Sequence, residues 1–255
     1  MSDGVLTLAF DRPKARNAVG LATLEALVAA LRAADADVDL RAVVLRGYGD
    51  GPFSSGFDLT GLPTVDRYDE ATAQELHAPI RRAADAIKCC RHPVVAAIRG
   101  YALGAGLDLA AHADLRVAAD DAHFGLPAAR LGFAYPTAGI KRLVWTLGPA
   151  ATEALLLEAR SFSSAEMFAL GFLHRAWSPQ DFEAELNIYL AELGRRAPLA
   201  LRALKRSLRR IADSATDAED EAAEYAAIAE CLSSADAREG PAAFRARRPP
   251  VFQGQ

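Results

Sequence analysis

Two short segments of this 255-residue chain share a pattern suited to holding negative charge on an oxygen. One is Phe53-Ser54-Ser55-Gly56-Phe57-Asp58-Leu59, the other Leu103-Gly104-Ala105-Gly106-Leu107-Asp108-Leu109. Each places glycine before a helical start, with an aspartate following. The first N–H groups of a helix lack intrahelical partners, and the helix dipole adds partial positive charge there. An anion is stabilised at such a point without a charged side chain. Two turns of this kind can aim two main-chain N–H groups at one oxygen, and a carbonyl held that way is polarised toward an enolate. Losing one donor from such a pair typically costs roughly 3 kcal/mol of transition-state stabilisation. A dinucleotide site is the other use for these glycines, but Gly104-x-Gly106 lacks the third glycine of that fingerprint. Asp108 also has a plain reading, as an acid that favours the dipole of its own helix.

The elements that must position these turns follow from the apolar pattern. Val94-Val95-Ala96-Ala97-Ile98 reads as a buried strand that breaks through Gly100–Gly106 into a helix over 105–112. Leu6, Leu8 and Phe10 alternate in a strand over 4–10, and Ala42–Leu45 form another. Leu24, Leu27, Val28 and Leu31 fall at helical spacing, as do Leu76, Ile80, Ala83, Ala84 and Ile87. The spacing predicts helices from about Gly20 to Ala36 and ahead of Pro93. Strands are expected over 114–118 and 173–177, and Ser163-Ser164-Ala165-Glu166 fits a capping box. From Asp181 onward the pattern is helical, over 181–196, 198–213 and 217–234. The fold class is α/β: a mixed core over residues 1–195, then a helical region over 196–255 suited to packing on another subunit.

Bulk composition narrows the function classes. Half the residues are apolar and a quarter charged, with a net charge of −4, so the broad basic footprint of a nucleic-acid binder is missing. The chain carries neither a signal-like start nor an apolar run of membrane-spanning length, which leads us to expect a cytoplasmic protein. Cys89, Cys90 and Cys231 form no CxxC or Cys/His ligand spacing. No metal site is expected, and the thiols read as small buried hydrophobes.

The chain resembles the crotonase superfamily, the enoyl-CoA hydratase/isomerase family. The resemblance is carried by the runs Pro93–Ala110, Asp114–Ala118 and Phe124–Gly132, with support from Asp11–Ala18, Ser55–Leu59 and Glu239–Arg247. It implies a spiral of repeated ββα units with a helical C-terminal trimerisation region. It also implies an acyl-CoA thioester substrate and a homotrimer or dimer of trimers. Coenzyme A is then part of the substrate, and no separate cofactor is expected. By position, the oxyanion hole falls on the backbone N–H groups of Phe57 and Ala105. Phe244 and Arg247 match a Phe-x-x-Lys pattern that touches CoA from a neighbouring subunit, and Lys14 and Arg16 fall near the nucleotide end.

The chain departs from the family at the catalytic positions. Of the two glutamates used by hydratases, the first falls on Asp108 and the second on Ala128. Acid–base work is typically worth 10² to 10⁴ per group, so standard hydration is not expected from this pattern. The run Leu131–Ile140 resembles the methylmalonyl-CoA decarboxylase branch, in which a tyrosine corresponding to Tyr135 lies by the substrate carboxylate. That branch also carries a histidine where this chain has Phe57. Isomerisation, atypical hydration and decarboxylation stay open, as does a non-catalytic acyl-CoA binder. Asp108 and Tyr135 are the side-chain candidates. Asp58, Asp114, Arg116 and His174 read as framework; His77, on the helix that covers the pocket in relatives, either faces the acyl chain or, as the plainer reading, is solvated or packed.

Overall fold

A computed structural model describes residues 4–61, 69–196, 198–212, 229, 232–233 and 235–248. Its centre is a five-stranded parallel sheet of β1 (Val5–Phe10), β2 (Ala42–Gly47), β3 (Val94–Ile98), β5 (Leu115–Ala119) and β8 (Arg175–Trp177), adjacent in that order. Parallel strands covered on both faces read as continuous apolar runs rather than alternating ones, and all five residues of β3 are buried. The residues still divide by face. Val43, Leu45, Val94, Ala96 and Ile98 join a core with α1 (Leu21–Ala36), α2 (Glu70–Cys89) and α3 (Ala105–His112). Val44, Val95 and Ala97 face the other way, against Phe182, Leu186 and Leu190 of α7 (Phe182–Gly194).

A second sheet of three short strands stands beside the first. It joins β4 (Tyr101–Leu103), β6 (His123–Gly125) and β7 (Ser161–Ser163). Sequence reading missed it, because three-residue strands are too short to establish an alternation. It matters for function, because β4 leads directly into α3. The remaining helices are α4 (Thr137–Leu147), α5 (Pro149–Leu156), α6 (Ser164–Ala169), α8 (Pro198–Ala212) and α9 (Ala235–Arg245). The capping box expected at Ser163 and Glu166 is formed at the start of α6.

The framework residues do what their types suggest. Arg116 is buried and donates to the carbonyl oxygens of Phe172 (2.7 Å) and Ala113 (2.6 Å); burial pulls its guanidinium down to about 9. His174 Nδ1 accepts from the Arg116 N–H, and Asp114 accepts from Val94 N–H while pairing with Lys205 at 2.6 Å. Cys90 is buried, and burial pushes its thiol up to about 12. Cys89 corrects the expectation of buried thiols: it ends α2 in an exposed position. Cys231, and nearly all of the helix expected over 217–234, lie outside the described residues.

Candidate active site

The two glycine turns are fastened to each other. Ser54 N–H donates to Tyr101 O at 3.1 Å, and Leu103 N–H donates to Ser54 O at 2.9 Å, so a parallel bridge joins the turns just before their glycines. Gly56 has φ +101°, and a Cβ there would sit 2.9 Å from the Leu103 carbonyl oxygen. Gly104 has φ +51°, and its absent Cβ would lie 3.7 Å from Gly56 Cα. Glycine is required at both positions by conformation, and at Gly56 by contact as well. Gly106 allows the Ser54 side chain to lie where a Cβ would come within 2.6 Å. Asn17 braces the first turn from outside: it is fully buried and donates to Pro52 O at 2.6 Å while accepting from Arg12 N–H at 3.0 Å.

Two amides are left over by these bonds. Gly56 O and Asp58 N–H, on either side of Phe57, bond to Val19. Ala105 opens α3, and Tyr101 O, the carbonyl four residues before it, is occupied by Ser54 N–H. Among the described residues, no hydrogen bond takes the N–H of Phe57 or of Ala105.

One turn further along α3, Asp108 is only 4% exposed. Its Oδ1 lies 3.3 Å from His112 Nδ1, but that nitrogen makes its shorter contact, 2.8 Å, with the Asp108 carbonyl oxygen. Asp108 Oδ1 is thus buried without an aligned hydrogen bond. Tyr135 comes from the loop before α4. Its hydroxyl is buried, lies close to the Asp108 carboxylate and makes no aligned bond either. Burial, with the Asp108 charge adding to it, raises the phenol well above its ordinary range, so Tyr135 stays protonated and is a donor. Gly139 makes the juxtaposition possible: a Cβ there would meet Tyr135 Cε1 at 2.6 Å and Asp108 Oδ1 at 3.3 Å.

A third unpartnered atom, His77 Nε2, faces into the protein from α2. Burial lowers the imidazole to about 4, and the Asp108 charge acts against that shift, which ties His77 to the same site. Sequence reading favoured a solvated or packed His77 over one facing the acyl chain, and singled out nothing at His112. The i, i+4 spacing of Asp108 and His112 on one helical face was the available signal for the latter. Ala128 packs against the core and precedes the 3₁₀ turn Ala129–Leu131. Asp58 holds Arg12 at 2.7 Å and accepts from both Thr60 N–H and Thr60 Oγ1. These bonds, led by the Thr60 hydroxyl, lower its carboxyl and fit the structural role expected of it.

The residues expected near CoA are on the surface. Lys14 and Arg16 lie exposed on and just after the 3₁₀ turn Pro13–Ala15. Phe244 is 67% exposed near the end of α9, and Arg247 follows it, also exposed. The structure brings Asp108 and Tyr135 together beside the glycine turns, with His77 on α2, which packs against α3, and gives no contact between them and these four residues.

The sequence profile of the Enoyl-CoA hydratase/isomerase family matches residues 1–255. The chain belongs to the enoyl-CoA hydratase/isomerase family. It is 36% identical over 253 residues to the probable enoyl-CoA hydratase echA6 of Mycobacterium tuberculosis, covering 99% of this chain and 97% of that one. It is 32% identical over 256 residues to the carnitinyl-CoA dehydratase of Salmonella arizonae, covering 98% and 95%. Among solved structures, a methylmalonyl-CoA decarboxylase in complex with 2-nitronate-propionyl-CoA superposes with a TM-score of 0.91, covering 100% of this chain and 97% of that one. At 22% identity that likeness concerns the fold. The crotonase architecture expected from the sequence is thus the observed one. Among the described residues no helix is long and apolar enough to cross a membrane.

Proposed function

We propose that this enoyl-CoA hydratase/isomerase family member polarises the thioester carbonyl of an acyl-CoA between the N–H groups of Phe57 and Ala105 and works through the resulting enolate. The observation that carries this reading is the pair of unused amides on two interlocked glycine turns, with Asp108 one helical turn away. The Asp108 carboxylate removes a proton from the carbon next to the carbonyl, and the C–H electron pair moves toward the thioester oxygen. Tyr135, held neutral, donates a hydrogen bond to charge developing on the acyl group. Lys14 and Arg16, with Phe244 and Arg247 from a neighbouring copy, hold the nucleotide end of CoA in a trimer or dimer of trimers. The chemistry needs no cofactor beyond the substrate's own CoA.

Incubating the protein with butyryl-CoA in D₂O, followed by mass spectrometry, tests the enolate directly. Deuterium uptake at the α-carbon is expected, and Asp108→Asn should slow it by roughly 10² to 10⁴ while leaving CoA binding nearly intact. Measurable binding with no uptake on any acyl chain would support a non-catalytic acyl-CoA binder instead. A second reading, decarboxylation of a methylmalonyl-type thioester, draws on the buried neutral phenol of Tyr135. The Asp108 carboxylate beside that phenol weighs against it, since two carboxylates sharing a site repel. If decarboxylation holds, methylmalonyl-CoA should release CO₂, and Tyr135→Phe should reduce turnover far more than binding.

A further inference from the structure

Among the described residues the site holds one carboxylate, Asp108, with the Tyr135 hydroxyl against it, while His77 Nε2 is buried with no hydrogen-bond partner. Buried polar groups in folded proteins are almost always paired, so the orphaned His77 Nε2 marks where a ligand supplies a partner. We propose that His77 is the second proton-handling group of this site, with Nε2 taking a proton from water as that water adds to the β-carbon of a 2-enoyl thioester. This deepens the enolate reading above and rests on it.

The placement of His77 follows from α2. Ala73, Ala84 and Ile87 are buried, and with the half-buried Ile80 they share the side of α2 that carries His77, so that side turns inward. That helix packs on α3, which carries Asp108. The imidazole suits the task chemically. At about 4 it is neutral at pH 7 and free to accept a proton. Its basicity then matches that of an ordinary glutamate, at about 4.3, which is the type of group missing at position 128. Asp108 favours the imidazolium once it forms.

The step balances. The water oxygen bonds to the β-carbon while one of its protons passes to His77 Nε2. The α,β π-pair shifts to the bond between the α-carbon and the carbonyl carbon, and the carbonyl π-pair moves onto the thioester oxygen at the two amides. The imidazolium then passes its proton through a bridging water to Asp108, which delivers it to the α-carbon as the enolate collapses. Both side chains return to their starting states. Dehydration of a 3-hydroxyacyl thioester is the same sequence reversed.

The test compares two reactions of one protein: hydration of short, medium and long 2-enoyl-CoAs in H₂¹⁸O, and α-proton exchange on butyryl-CoA in D₂O. Wild type should add labelled water. His77→Ala should lose hydration by about 10², at least tenfold more than it loses exchange, and added imidazole should restore part of the hydration. His77→Asn, which keeps a polar side chain but cannot take the proton, should behave the same way and covers the case of a poorly folded alanine variant. Four outcomes would overturn the proposal: hydration by both variants within twofold of wild type, equal loss of both reactions, no rescue by imidazole, or wild-type exchange without hydration of any 2-enoyl-CoA. Absence of exchange in wild type would instead remove the underlying enolate reading.

Discussion

Gly139 is the residue on which the meeting of Asp108 and Tyr135 depends. A methyl group there would drive into the Tyr135 ring and crowd the Asp108 carboxylate. Gly139→Ala should therefore cost about 1–3 kcal/mol, the usual range for overpacking. It should also reduce α-proton exchange more than CoA affinity, as denaturant unfolding and the D₂O assay can check. An exchange rate unchanged from wild type would mean that Asp108 and Tyr135 need not adjoin. At this scale the sequence was partly readable. Asp108 stands in the first turn of a helix after a glycine turn, and its type and spacing are plain from the residues alone. His77 was not readable in the same way. Whether a histidine on an amphipathic helix is solvated, packed or aimed into a site depends on the rotation of that helix against its neighbours, and no local pattern reports it.

At the scale of elements, the site depends on how the two turns interlock. Gly56 combines a positive φ with close approach to the Leu103 carbonyl. Gly56→Ala should destabilise the fold by about 1–3 kcal/mol through backbone strain alone. It should also abolish exchange if the Phe57 and Ala105 amides act together as proposed, because it separates the two turns. Thermal unfolding together with the D₂O assay tells the two effects apart. Long runs such as β3, α1 and α2 were evident from periodicity. The β4–β6–β7 sheet was not, although β4 sets the height at which α3 begins. Periodicity gave no sign of the last helix, α9, either. It seats on the turn that follows Ala128, where Gly240 lies against the Leu131 backbone with no room for a side chain. The two partners of that contact lie far apart in sequence, and a lone glycine is its only trace there.

For the whole molecule, the lowered imidazoles of His77, His92 and His174 govern acid stability. His77 and His174 are each held at about 4 in the folded chain, against an ordinary 6.5, chiefly by burial. Between those values the unfolded chain binds more protons than the folded one, so stability falls as pH drops from about 6.5 toward 4. Denaturant midpoints across that range should decline with acid, and His77→Asn should flatten the decline. A slope unaltered by His77→Asn would contradict the burial of this imidazole. The lowered carboxyls of Asp58 and Glu183 add loss of the same sign at still lower pH.

Assembly belongs to this scale as well. Leu204, Leu208 and Ile211 of α8 are each about 60% exposed at helical spacing, an apolar stripe of the kind that marks an interface. Light scattering at micromolar concentration should report a trimer or hexamer, and a monomer would contradict a CoA site shared between copies.

The most direct test of the account is a crystal structure of Asp108→Asn with an acyl-CoA bound. The thioester oxygen should lie about 2.7–3.1 Å from both Phe57 N and Ala105 N. A thioester oxygen that engages neither amide, or amides already bonded within the protein, would contradict it.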